Sequence, residues 1–253
     1  KKIINTKIYF HEQNSVIGKV HKNFLFTSNN IFITFRNTIG INPKYISKVI
    51  HSGLPFKNEF QNFRKTNYEN LNKIDKIKIL VFGGSQGSVN MINLFTELLS
   101  KTSNETQKCI DLTIQAPIVI MDSVETTLKR IKIKYEIKTF FKDIIDRISS
   151  ADLCVCRAGS STVNELLILK TPAILVPLPF ATNNHQYYNA KFLSDKNGAI
   201  IIDEKFLLSE KTINILENII FNKRLLRKMY DNLIKIPVLN SNELIYKKII
   251  LDN

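Results

Sequence analysis

Ile77-Lys78-Ile79-Leu80-Val81-Phe82 runs directly into Gly83-Gly84-Ser85-Gln86-Gly87-Ser88, and an amphipathic stretch follows to about Ser100. A short, nearly unbroken apolar run reads as a strand buried on both faces, as a parallel sheet requires. The glycines after it make a tight turn, and helical periodicity begins beyond them. Strand, glycine turn and helix form half of a βαβ unit. This stretch sets the fold class as α/β with parallel strands.

The alternation repeats outward from this point. Downstream, strands are expected at Leu112–Ile114, Tyr135–Phe140, Asp152–Cys156, Ala173–Val176 and Ala199–Ile202. Helices are expected near Asp143–Ser149, Ser161–Leu169, His185–Ser194, Glu210–Ile220, Arg224–Ile234 and Asn242–Leu251. Upstream, Ile3–Phe10 reads as a strand. Asn14-Ser15 reads as the cap of a helix carrying Val16, Ile17, Val20, Phe24 and Leu25, and Ile31–Phe35 and Ile46–Ile50 read as further strands. The polar, Asn- and Lys-rich stretch from Lys57 to Asp75 marks a domain boundary. The chain opens at Lys1 and enters a strand-like run almost at once, so the expectation is that sequence upstream is missing.

Composition narrows the class. The chain has 253 residues, 44% hydrophobic and 23% charged, which suits a folded protein with a sizeable core. Lys and Arg total 36 against 22 Asp and Glu, a formal charge of +14, which favours anionic partners. The basic residues are spread along the chain and lack the clustered arginines with interleaved aromatics of a nucleic-acid module, so nucleic acid is not expected. Cys109, Cys154 and Cys156 fit neither a disulfide framework nor a zinc site, and reduced thiols are the simple reading. No apolar run approaches the roughly 20 residues that a spanning helix needs, so any membrane contact is expected to be peripheral.

Three strand-to-helix turns carry candidate chemistry. At Gly83-Gly84-Ser85-Gln86-Gly87 the free amides of a helix start favour an anion, although such a turn can equally be structural. It is neither a Walker loop nor a dinucleotide fingerprint. At Arg157-Ala158-Gly159-Ser160-Ser161-Thr162-Val163-Asn164-Glu165 the amides of Ser160, Ser161 and Thr162 suit a diphosphate. Glu165, one turn on, suits vicinal hydroxyls. The competing reading is a capping box, with Ser or Thr as cap and the glutamate reaching back. At Pro177-Leu178-Pro179-Phe180, followed by Asn183-Asn184-His185-Gln186 and Asn189, a polar cluster suits sugar hydroxyls, or simply caps a helix. All three turns fall at the C-terminal ends of strands, where open α/β sheets bind ligands. No Asp-x-Asp pair is present, so no metal is expected and no cofactor is implied.

The run Arg157-Ala158-Gly159-Ser160-Ser161-Thr162 with Glu165, then His185-Gln186-Tyr187-Tyr188-Asn189-Ala190, resembles the donor-site signature of the MurG family. The Gly83–Gly87 turn sits upstream at the family's spacing, and His11-Glu12-Gln13-Asn14 resembles its HEQN segment. The resemblance covers nearly the whole chain. It implies a GT-B glycosyltransferase with two Rossmann-like domains facing a cleft, the N-terminal one incomplete. On that reading 1–60 belong to the acceptor domain, 61–75 form a linker, 76–236 bind UDP-N-acetylglucosamine, and 237–253 form a terminal helix packing back on the first domain. The implied reaction moves N-acetylglucosamine, with inversion, from UDP-N-acetylglucosamine to lipid I. It takes place peripherally at the cytoplasmic face of the bacterial inner membrane, during peptidoglycan synthesis.

The resemblance also implies residue roles. Ser160, Ser161 and Thr162 contact the diphosphate, Glu165 the ribose and Phe141 the uracil. His185, Gln186 and Asn189 meet the sugar, Ser85 and Gln86 line the facing wall, and Asn14 reaches in from the N-terminal domain. His11 and Glu12 are the candidate catalytic groups. The chain departs from the family at three points. Gly53-Leu54-Pro55-Phe56-Lys57 replaces a Gly-Asn-Pro-x-Arg turn, so Lys57 keeps the charge without the bidentate fork. His185-Gln186 replaces a Gln-Gln pair, and the family's N-terminal glycine-rich loop with its histidine is not in the sequence. A catalytically incomplete nucleotide-sugar-binding remnant or subunit, needing a partner half, is the alternative.

Overall fold

The computed structural model describes residues 6–56, 75–83, 89–131 and 133–251. Among these residues two all-parallel sheets form. The smaller contains β1 (Tyr9–Glu12), β2 (Asn30–Ile33) and β3 (Val49–His51), in that order. The larger has six strands in the order β6-β5-β4-β7-β8-β9. These are β4 (Ile77–Phe82), β5 (Ile110–Gln115), β6 (Lys134–Lys138), β7 (Leu153–Cys156), β8 (Ala173–Leu175) and β9 (Ala199–Ile201).

The opening stretch folds as its sequence implies. β4 alternates between two cores, as the strand period of two requires. Ile77, Ile79 and Val81 join Met91, Ile92, Phe95, Leu98 and Leu99 of α2 (Val89–Lys101) on one face. The same core takes Ile120, Val124 and Leu128 of α4 (Ile118–Arg130), and Leu216, Ile219 and Ile220 of α8 (Glu210–Phe221). Leu80 and Phe82 face the other core. It takes Ile148 of α5 (Ile144–Ser150), Val163 and Leu166 of α6 (Ser160–Leu169), Leu193 of α7 (His185–Ser194) and Leu233 of α9 (Lys223–Ile234). Each fully buried large side chain contributes about 1.5–3 kcal/mol of transfer free energy, so this two-sided core holds the larger sheet rigid. Sheet order reverses direction at β4. From it the chain steps through β5 to β6 on one side, then crosses to β7, β8 and β9 on the other.

After α9 the chain returns to the smaller sheet through α10 (Ser241–Leu251). Ser241 Oγ donates to the Ser52 carbonyl, and Asn242 Nδ2 donates to the Phe56 carbonyl at 2.8 Å. Gly53 adopts φ +78°, and a Cβ there would sit 2.7 Å from Ser241 Oγ, so this contact requires glycine.

Several elements differ from expectation. The first helix, α1 (Lys19–Phe24), begins after Gly18, not after Asn14-Ser15. Val16 instead bridges Ile39, and Ile17 N–H donates to the Ile39 carbonyl at 2.9 Å. Most of Ile46–Ile50 is not strand. Pro43–Lys48 form a 3-10 helix capped by Asn42, whose side chain accepts from the Lys44 amide at 3.0 Å, and only Val49–His51 pair with β2. A short α3 (Asn104–Lys108) and the long α4 occupy stretches where no helix was expected. The expected strand at Ile3–Phe10 falls partly outside the described residues, and β1 lies further along. All but Asp75 of the expected linker at 61–75 lies outside them too.

Candidate functional site

A cleft of about 1120 Å³ opens across the C-terminal ends of the strands in the larger sheet. Phe82 and Gly83 end β4, Gln115 ends β5, Thr139, Phe140 and Phe141 follow β6, and Arg157 follows β7. Asn14, from the loop after β1, closes one side. The crossover between β4 and β7 is the switch point where an open parallel sheet leaves a crevice between diverging loops.

The N-terminus of α6 faces this cleft. Its N-cap is Gly159 in extended conformation, and among the described residues no side chain caps the first turn. The capping-box reading is therefore not what forms: neither a serine nor a threonine takes the cap, and Glu165 accepts no hydrogen bond from a described residue. Ser160, Ser161 and Thr162 contribute the first amides of the helix, and all three line the cleft together with Glu165. Their amides and the helix dipole make this point favourable to an anion. Glu165 is largely buried, and desolvation holds its carboxyl above its ordinary range.

Two residues brace the turn before α6. Arg157 is buried, with Nη1 donating to the Val176 and Pro177 carbonyls at 3.2 and 3.3 Å and Nη2 paired with Glu204. Gln186 Oε1 accepts from the Leu178 amide at 3.0 Å and the Ala158 amide at 3.3 Å. Gln186 and His185 both line the cleft, with His185 Nδ1 held 2.8 Å from the Thr182 carbonyl. Asn183 and Asn184, just before them, are both left-handed, at φ 53° and 55°. Such strain concentrates at ligand-facing loops.

Asn189 sits elsewhere. It is fully buried, and its side chain joins the two sheets: Oδ1 accepts from the Ser15 amide at 2.8 Å, while Nδ2 donates to Asn14 Oδ1 at 3.1 Å and the Ala158 carbonyl at 3.2 Å. Its amide group is spent on the protein itself, so the expected sugar contact does not match the geometry. What Asn189 does is hold Asn14 at the cleft edge.

The candidate catalytic pair is also engaged internally. His11 Nε2 donates to the Gly53 carbonyl at 2.9 Å, and burial lowers its pKa. Glu12, 3% exposed, accepts from the amides of Asn14 at 3.0 Å and Gly18 at 2.7 Å, with His21 Nδ1 at 2.8 Å. Its carboxylate ties the loop after β1 to the amide of Gly18, the N-cap residue of α1, and neither residue lines the cleft. Phe141 does line it, with the Arg147 guanidinium stacked 4.0 Å from the ring centroid. Lys57, Ser85 and Gln86 lie outside the described residues.

Sequence reading missed Arg157 as a brace, because its partner Glu204 is distant in the chain and follows β9. It also missed Gln115, Phe140 and Phe180 as cleft residues. The signal available for Phe180 was a proline-flanked aromatic in a strand-to-helix turn.

The model of the glycosyltransferase family 28 C-terminal domain matches residues 78–243. A protein of Rickettsia bellii, named UDP-N-acetylglucosamine--N-acetylmuramyl-(pentapeptide) pyrophosphoryl-undecaprenol N-acetylglucosamine transferase, is 30% identical over 92% of this chain and 65% of its own length. A protein of Vesicomyosocius okutanii with the same name is 32% identical over 94% of this chain and 63% of its own. The chain thus spans about two thirds of the length of these relatives. The crystal structure of Acinetobacter baumannii MurG shares the fold, with a TM-score of 0.74 at 22% identity over 96% of this chain and 67% of that one. The family match takes in the cleft-forming loops from Gly83 to Gln186, and the chain belongs to glycosyltransferase family 28 through its C-terminal domain.

Proposed function

We propose that this chain binds UDP-N-acetylglucosamine in the cleft and serves the inverting transfer of N-acetylglucosamine to lipid I, the undecaprenyl-pyrophosphoryl muramyl pentapeptide. The observation that carries the reading is the uncapped start of α6 opening on the same cleft as Glu165. The amides of Ser161 and Thr162 hold the diphosphate, and the helix dipole offsets the charge that grows on UDP as it leaves. Glu165 accepts from the ribose hydroxyls, and its ionisation is favoured by those donors. Phe141 marks the uracil end, and Gln186 and Asn14 the sugar end. The two sheets belong to two domains, with Asn189 and the start of α10 joining them. Work at the cytoplasmic face of the membrane, peripherally, is supported by exposed Val20, Phe24 and Phe26 beside Lys19 and Lys22. Among the described residues no helix is long and apolar enough to cross a membrane.

One observation favours a second reading, donor binding without transfer. His11 and Glu12 are both tied to main-chain partners, so neither stands ready to take a proton from the acceptor hydroxyl. Titration calorimetry with UDP-N-acetylglucosamine, run beside a transfer assay on lipid I, separates the outcomes. Micromolar binding with transfer supports the enzyme, and binding without transfer supports the second reading. No binding overturns both.

A further inference from the structure

Phe180 lines the cleft yet is 95% exposed. An apolar ring left almost wholly in water forgoes the stabilisation that burial would give. Such exposure usually accompanies a loose loop, but this loop is held at several points. Phe180 is the third residue of the turn Leu178-Pro179-Phe180-Ala181, closed by the Ala181 amide donating to the Leu178 carbonyl at 3.2 Å. Pro179 occupies the second position, where its fixed φ favours the turn. The Leu178 amide is bound by Gln186, and the carbonyls of Val176 and Pro177 just before it are bound by Arg157. Behind it the Asn184 amide donates to the Ala181 carbonyl at 2.7 Å. The backbone is fixed on both sides of a ring that touches almost nothing.

Sheet order says which part of a ligand this ring meets. Phe141 follows β6, at one end of the sheet, and Phe180 follows β8, on the far side of β7. The α6 start follows β7, between them. A nucleotide sugar with its diphosphate on α6 and its base towards Phe141 therefore extends its sugar towards the β8 loop, beside Gln186 and Phe180. We propose that Phe180 is a pre-positioned platform on which the pyranose ring of the donor lays its C–H face. This rests on the nucleotide-sugar reading above and adds a specificity-determining residue to it. The ring's exposed area is covered only when a sugar is present, so its contribution goes to UDP-sugar and not to UDP.

The chain has no tryptophan, so Phe180→Trp places a single indole on this turn without background. Titrating the full chain with UDP-N-acetylglucosamine shifts the indole emission to shorter wavelength, whereas UDP alone leaves it in place. By calorimetry Phe180→Ala weakens UDP-N-acetylglucosamine roughly tenfold and leaves UDP within about twofold, and Phe180→Tyr restores the sugar-dependent part. The unchanged UDP affinity also shows that the variants remain folded. Equal UDP-N-acetylglucosamine affinity in wild type and Phe180→Ala overturns the platform alone. An equal loss for UDP and UDP-sugar also overturns it. Failure of the wild type to bind UDP-N-acetylglucosamine overturns the parent reading, and the platform falls with it.

Discussion

Two helix starts follow two parallel strands, α1 after β1 and α6 after β7, and they are completed in opposite ways. At α1 the chain supplies its own anion: Glu12 takes the amides of Asn14 and Gly18 and is itself buried. At α6 the N-cap is likewise a glycine, but among the described residues no side chain binds its amide, and the first turn opens on a cleft. Amides at a helix start attract negative charge in either case. The difference is who brings that charge. A start closed by a carboxylate of the chain holds the fold together, and a start left open at a sheet switch point is free to take an anion from solution.

The largest expected effect comes from closing the open start. Thr162→Asp puts a carboxylate into the first turn of α6, where the helix tolerates it well but a diphosphate does not. UDP affinity should fall by roughly a hundredfold from like-charge repulsion at close range, while the melting temperature holds or rises slightly. Joint loss of fold and binding would make the two starts alike. Next comes the link between the two regions. Asn189→Ala strands the buried Ser15 amide and releases Asn14, and denaturant unfolding should show a loss of about 2–4 kcal/mol.

Opening the closed start should cost less. Glu12→Gln keeps one acceptor oxygen but loses the charge, for about 1–2 kcal/mol of stability, and UDP affinity should be unchanged. A parallel fall in UDP affinity would show that the two starts are coupled. The smallest effect has the opposite sign. Burial raises the Glu165 carboxyl above its ordinary value of 4.5, so the folded chain holds that proton more tightly than the unfolded one. That favours folding below about pH 4.5, and the advantage is lost as pH rises through the raised folded value. At neutral pH Glu165→Gln should therefore raise the melting temperature by about 1–2 °C while weakening nucleotide binding, because the amide keeps one acceptor oxygen but loses the charge that strengthens its bonds to the ribose hydroxyls.

The larger sheet was legible because buried parallel strands announce themselves. Ile77–Phe82 and Leu153–Cys156 are apolar runs bounded by turns, and their pairing needs no special residue. Helix α4 was not legible, for a local reason. It opens with the β-branched run Ile118-Val119-Ile120, and its buried stripe is only Ile120, Val124 and Leu128. The misjudged start of α1 has a tertiary cause: Val16 and Ile17 are drawn into extended pairing with Ile39, so the helix starts only after Gly18, whose amide Glu12 binds. At the site, Ser161, Thr162 and Glu165 were legible because helix geometry alone sets their neighbourhood. Asn189 was not, because its partners Asn14 and Ser15 come from the other sheet and nothing in its own segment reports that they bury it. Phe180 escaped because an exposed ring has meaning only against a cleft.

Amide chemical shifts of the isotopically labelled full chain, followed as UDP is added, address the two helix starts at once. The expected result is large, saturable movement of the Ser160, Ser161 and Thr162 amides, with the Asn14 and Gly18 amides, already bound by Glu12, moving little. Saturable movement confined to Asn14 and Gly18, or none at the start of α6, would contradict the claim that the uncapped turn is where the diphosphate sits.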